Sequence, residues 1–210
     1  MTPTSPSTLE SVRAATTYVR PGHDHGCRGV EILSGLWTAH FHDIESIDAL
    51  RAISPKVTIV VNVGTDKCHE VDYGPNVRVV SIDLLDDPDE MKKADALPDD
   101  HPDKTAIKAD ILERISSGEL VPCGDAKKDF EAVNAIIDET LSSEGGEGAV
   151  LIHCLASLSR SPAFILAYMM KTKRMTLVEA IGYFKPKWDA CWPADGFVMQ
   201  LIEYEKELGL

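Results

Sequence analysis

The sequence predicts an α/β domain built on a central, mostly parallel sheet flanked by helices. Two near-continuous β-branched runs, residues 57–63 (VTIVVNV) and 77–82 (VRVVSI), read as strands buried on both faces. A third apolar run, 149–153 (AVLIH), is short and uninterrupted. Amphipathic helical stretches alternate with these runs, the order that places parallel strands in one sheet under a layer of helices. A chain of 210 residues with 44% apolar side chains suits one well-cored domain rather than two.

Taken in order, residues 1–27 are rich in Pro, Ser, Thr, Gly and His without a period, and are expected to be a mobile arm preceding a domain at 28–210. Short strands are expected at 29–33 and 36–40. A helix should follow over 44–53, capped by Asp43, with Ile44, Ile47 and Leu50 on one face. After the two β-branched runs, residues 83–104 are crowded with Asp, Pro and Lys and read as loop. Ile107, Ile111, Leu112 and Ile115 recur at helical spacing before Gly118, predicting a helix over 106–116 with one apolar face. Phe130, Val133, Ile136, Ile137 and Leu141 mark another helix, ended by Gly145 and Gly146. Three helices close the chain. The first has Ser161 as cap and Pro162 at its first position, the second a capping box of Thr176 and Glu179, and the third opens at Asp195.

Charge narrows the function. Lys and Arg number 21 against 34 Asp and Glu, a formal net charge of −13, which repels nucleic-acid phosphates and anionic membranes. No apolar run approaches the ~18 residues of a membrane span, and residues 1–8 lack the order of a signal peptide, so a cytoplasmic or nuclear location is expected. The five cysteines (Cys27, Cys68, Cys123, Cys154, Cys191) are widely spaced and read as free thiols. His23, His25 and Cys27 have H-x-H-x-C spacing, but no fourth ligand is evident and a solvated arm is the expected reading.

The decisive segment is IHCLASLSRSP, residues 152–162. A buried strand runs into a short loop, and a helix follows. Ligands of open α/β sheets bind beyond the carboxyl ends of strands, and a helix N-terminus offers free N–H groups to an anion. Seven residues from Cys154 to Arg160 suffice to wrap amides around a tetrahedral dianion. The same positive field favours the thiolate of Cys154, and Arg160 is placed to grip two phosphoryl oxygens. Against this stands the ordinary use of a lone Cys after a strand as a small core residue. The capped helix and the hydroxyls at Ser159 and Ser161 favour the anion site.

HCLASLSRSP resembles the active-site signature of the dual-specificity branch of the protein tyrosine phosphatases, His-Cys-x-x-Gly-x-x-Arg-Ser/Thr. The GVEILSGLWTAH entry, VVNVGTD with Asn62, TLVEAI and WPADGFVMQLIEYEKEL are similar to that family in order and spacing. The resemblance implies a cysteine-dependent phosphomonoesterase with a protein tyrosine phosphatase-like fold and neither metal nor cofactor. It implies that Cys154 attacks phosphorus, that Arg160 and the amides of Leu155, Ala156, Ser157, Leu158 and Ser159 hold the oxygens, and that Ser161 donates to the sulfur. His153 would position the loop. Asp83, Asp86 and Asp87 all lie just past the run 77–82 as candidates for the general acid. Asp83 follows the strand at once and is expected to point toward backbone or solvent, and the family spacing selects Asp86, with Asp87 next.

Two departures stand out. Ser157 occupies the signature Gly position, where a left-handed backbone costs a Ser roughly 1 kcal/mol. A helical insertion at about 87–124 follows the general-acid loop and is expected near the rim of the site. The variable loop positions 155–159 carry no Lys, Arg or His, so a phosphorylated protein is the expected substrate; oligomeric state is not encoded. Two alternatives remain: a weakly catalytic phosphoprotein-binding pseudophosphatase and a rhodanese-like sulfurtransferase.

Overall fold

Strand formation follows the β-branched and apolar runs. The computed structural model of the chain describes residues 7–16, 29–64, 71–82, 84, 98, 101–116, 126–142 and 148–210. Five strands, β1 (Val30–Leu33), β2 (Leu36–Thr38), β3 (Val57–Asn62), β4 (Arg78–Ser81) and β5 (Ala149–His153), form one sheet in the order β1-β2-β5-β3-β4. β5 runs parallel to both β2 and β3, and β3 parallel to β4; only the β1–β2 hairpin is antiparallel.

β5 holds the centre because every one of its five residues is buried. Its side chains alternate between two cores, as the pleat requires. Val150 and Ile152 join the larger one, with Phe130, Phe164, Phe184 and Phe197 from the helices; Ala149 and Leu151 join the smaller one, with Val57, Val60 and Leu50. The larger core is covered by α4 (Ala126–Ser142), α5 (Arg160–Lys173), α6 (Leu177–Phe184) and α7 (Asp195–Glu207). The smaller one is closed by α2 (Ile47–Ile53). The expected fold class is the one observed.

Four local expectations need correction. Within the supposed arm 1–27, α1 (Leu9–Ala15) forms a helix packed on α6 and α7, with Thr8 and Ser11 exchanging capping hydrogen bonds and Val12 fully buried. A single buried residue leaves no period to detect. Its entry is tied down by Glu205, whose carboxylate accepts from the amides of Ser7 and Leu177, each at 2.8 Å. Residues 17–28 lie outside the described residues.

The helix expected from Ile44 begins three residues later. Ser46, not Asp43, is the cap, accepting from the Ala49 amide at 3.1 Å. Asp43 ends a 3-10 turn (Phe41–Asp43), and the Ile44 carbonyl accepts from the Tyr73 hydroxyl at 2.6 Å. The run 77–82 is a sheet edge rather than a doubly buried strand: Val79 is 40% exposed, and Arg78 and Ser81 are exposed too. β-branched composition marks strand, not depth.

Finally, the helix expected over 106–116 runs from Lys104 to Ser116 as α3, with Ile107 exposed. Most of the expected loop 83–104 lies outside the described residues. No helix among the described residues is long and apolar enough to cross a membrane.

Candidate active site

At the carboxyl end of β5 the chain leaves the sheet at His153, and α5 starts at Arg160. The loop between them is the expected one, but the capping is not. Ser159 occupies the N-cap position and Ser161 lies inside the first turn. The Ser159 hydroxyl does not cap the helix; it accepts from the Ala194 amide at 3.0 Å. Ser161, released from capping, places its hydroxyl oxygen 3.6 Å from the Cys154 sulfur. Cys154 is only 2% exposed, at the base of the loop.

The loop is held open by its surroundings. The carbonyl of Cys154 accepts from His153 Nδ1 at 3.1 Å, and that of Leu155 from the Phe41 amide at 3.1 Å. Those of Ser157 and Leu158 accept from Trp188 Nε1 at 2.9 Å and from the Trp192 amide at 2.7 Å. In a trans peptide the carbonyl and the following N–H point in opposite directions, and no cis peptide occurs among the described residues. Four outward carbonyls therefore turn the amides of Leu155, Ala156, Leu158 and Ser159 to the loop's inner side. There they add to the free N–H groups of the α5 N-terminus. Inward amides of this kind can hold an oxyanion.

Ser157 takes the left-handed conformation, φ 43°, as its place in the motif predicts. The structure explains how a Ser is tolerated. Its hydroxyl donates to the Ala39 carbonyl and accepts from the Cys154 amide at 3.4 Å, binding the loop's first amide and anchoring the loop to the segment after β2. Two hydrogen bonds worth about 0.5–1.5 kcal/mol each offset a strain of roughly 1 kcal/mol.

Arg160 is buried beside the loop, and its Nη1 donates at 3.0 Å to the carbonyl of Leu84, just past β4. That bond fixes one side of the guanidinium plane. His153 is buried, its ring stacked on Phe41 at 5.9 Å between centroids. Leu155, 42% exposed, stands at the mouth, and no loop residue besides Arg160 carries a cation. The second described thiol, Cys191, is also buried, and burial pushes its pKa up to about 12.

Of the expected site residues, the structure brings together Cys154, Arg160, Ser161, His153 and the loop 155–159. Asp86, like Asp83 and Asp87, lies outside the described residues, as do His23, His25 and Cys27. Among the described residues no group of three His, Cys, Asp or Glu is placed to hold a metal. Sequence reasoning missed Trp188, Trp192, Phe41 and Ala39. Their only signal was weak: an indole is an apolar body with one polar handle that seeks a partner when buried.

Comparisons with known proteins bear on the family and the fold. The dual specificity phosphatase catalytic domain matches residues 54–207. Dual specificity protein phosphatase 5 of Rattus norvegicus is 44% identical over 78 residues, 37% of this chain and 19% of that protein. Dual specificity protein phosphatase 16 of Homo sapiens is 34% identical over 116 residues, 55% of this chain and 15% of that protein. The matched part thus spans less than a fifth of these relatives. Among solved structures, the human tyrosine phosphatase-like serine/threonine/tyrosine-interacting protein aligns with TM-score 0.61 at 22% identity, over 87% of this chain and 98% of its own. Human DUSP28 aligns with TM-score 0.60 at 20% identity, over 88% of this chain and 97% of its own. These two likenesses bear on the fold alone. The domain match covers well over half of the chain, and the chain belongs to the dual specificity phosphatase catalytic-domain family.

Proposed function

We propose that this chain is a cysteine-dependent phosphomonoesterase acting on phosphorylated tyrosine, serine or threonine side chains of proteins. The observation that carries the reading is the Cys154 sulfur at the base of a loop whose carbonyls are held outward, with the Ser161 hydroxyl at 3.6 Å and Arg160 beside it. A dianion seated on the inward amides faces the sulfur. Cys154 attacks phosphorus, the ester oxygen leaves with a proton, and water then cleaves the S–P bond to release phosphate and restore the thiolate. Arg160 and the amides stabilise charge on the equatorial oxygens. Ser161 donates to the sulfur as it leaves.

Asp86 supplies the leaving-group proton. Support comes from chain connectivity: Arg160 binds the carbonyl of Leu84, two residues upstream of Asp86. A loop without further cations suits one phosphoryl group on a protein rather than a polyphosphorylated ligand. The pseudophosphatase alternative started from a loop distorted by Ser157, and the bonds of the Ser157 hydroxyl argue against distortion.

Turnover of para-nitrophenyl phosphate by wild type and Cys154→Ser tests the reading. Wild type should release nitrophenol, and Cys154→Ser should not, while still binding phosphopeptide. Wild-type inactivity with retained phosphopeptide binding would favour the pseudophosphatase, and activity in a thiosulfate–cyanide assay would favour the sulfurtransferase.

A further inference from the structure

Trp188 plays no part in the chemistry above, yet its indole touches the most strained residue of the loop. Ser157 has φ 43°, a region L side chains rarely occupy, and the peptide that follows could turn either way. One orientation presents the Leu158 amide to the inner side of the loop. The other presents the Ser157 carbonyl, which would repel an anion. Trp188 Nε1 donates to that carbonyl from outside at 2.9 Å. An indole N–H is a donor without acceptor capacity, so it can hold a carbonyl but never an N–H in its place. It therefore selects one of the two peptide orientations.

The donor is itself fixed. Trp188 is buried, its amide donates to the Phe184 carbonyl at 3.0 Å in the last turn of α6, and its ring packs on His40 at 4.8 Å between centroids. Four residues on, the Trp192 amide holds the next carbonyl, that of Leu158. The segment from Trp188 to Ala194 thus braces the loop at three places, at the carbonyls of Ser157 and Leu158 and at the Ser159 hydroxyl.

We infer that Trp188 is a positioning residue for phosphoryl transfer, its indole N–H locking the Ser157–Leu158 peptide so that the Leu158 amide faces the bound oxyanion. The inference rests on the phosphatase reading, and its test separates the two. Trp188→Phe keeps an aromatic ring beside His40 and removes the N–H donor, at the cost of the space the five-membered ring filled. Inhibition by inorganic tungstate, turnover of para-nitrophenyl phosphate and thermal unfolding are measured on both proteins. Tungstate should inhibit the variant about 10-fold less well, with kcat/KM lowered to match, while the melting temperature stays within a few degrees. A wild type that neither turns over the ester nor binds tungstate sinks the phosphatase reading. A wild type that does both, matched by Trp188→Phe, overturns the role of Trp188 alone. If the variant does not fold, the indole N–H resonance of Trp188 in the 15N-labelled wild type decides. It should resist solvent exchange and shift when tungstate binds, and an unmoved, fast-exchanging signal overturns the inference.

Discussion

The sulfur of Cys154 lies 3.6 Å from the hydroxyl oxygen of Ser161, seven residues on and inside the first turn of α5. The sulfur and the hydroxyl, which the proposed mechanism uses in successive steps, are thus held by one strand–loop–helix unit. The contact divides the reaction. Attack needs a nucleophilic sulfur, whereas departure needs one whose charge is stabilised. Ser161→Ala should slow the second step more than the first. A rapid burst of nitrophenol followed by a steady rate lowered ~10-fold or more is expected. Rapid-mixing kinetics would show it, and equal loss of burst and steady rate would place the hydroxyl elsewhere in the mechanism.

Arg160 presents a planar fork, one edge of which is bound by the Leu84 carbonyl. Lysine cannot reproduce both the bond to Leu84 and a two-pronged grip on phosphate. Arg160→Lys should lower kcat/KM for aryl phosphate by ~100-fold or more at little change in melting temperature. Near-wild-type turnover would mean that the loop binds something other than phosphate.

Ser157→Gly looks favourable from sequence, because glycine enters the left-handed region without strain. The bonds of its hydroxyl to Ala39 and Cys154 reverse that expectation. Losing both costs more than the strain relieved, so the variant should melt a few degrees lower and turn over several-fold more slowly. Equal or higher activity in Ser157→Gly would show that the two bonds contribute little.

Asp86→Ala should matter only where the leaving group is poor. Hydrolysis of phenyl or alkyl phosphate is expected to fall ~100-fold, and that of a low-pKa fluorogenic aryl ester hardly at all. The basic limb of the pH–rate profile should vanish with it. The same pattern in Asp87→Ala and not in Asp86→Ala would move the assignment by one residue.

The N-terminal helix offers a stability test away from the chemistry. Arg13 donates to the Pro193 carbonyl at 2.8 Å and stacks over the Trp192 ring at 4.5 Å, so α1 reaches the segment that braces the loop. Val12→Ala removes two buried methyl groups and should cost about 2 kcal/mol, a fall of roughly 4–8 °C in melting temperature. An unchanged melting curve would mean that α1 is detached in solution.

Much was legible before folding. The run 149–153, the strand–loop–helix order around Cys154, and the capping box at Thr176 and Glu179 follow from local sequence, because each is decided within a few residues by propensity or spacing. The left-handed Ser157 follows from the family resemblance, which sets it at the signature's glycine position. The burial of β3 was legible too, but the exposure of β4 was not, since similar β-branched runs take opposite depths according to which strand holds the sheet edge. Nor was the packing of α1 through Val12 and Glu205, a contact across nearly two hundred residues. The motif determines that Cys154, Ser161 and Arg160 share one loop and helix. Which way the loop's peptides face was left to Phe41, Trp188 and Trp192. A peptide has two nearly equivalent orientations, and only donors brought from distant segments choose between them.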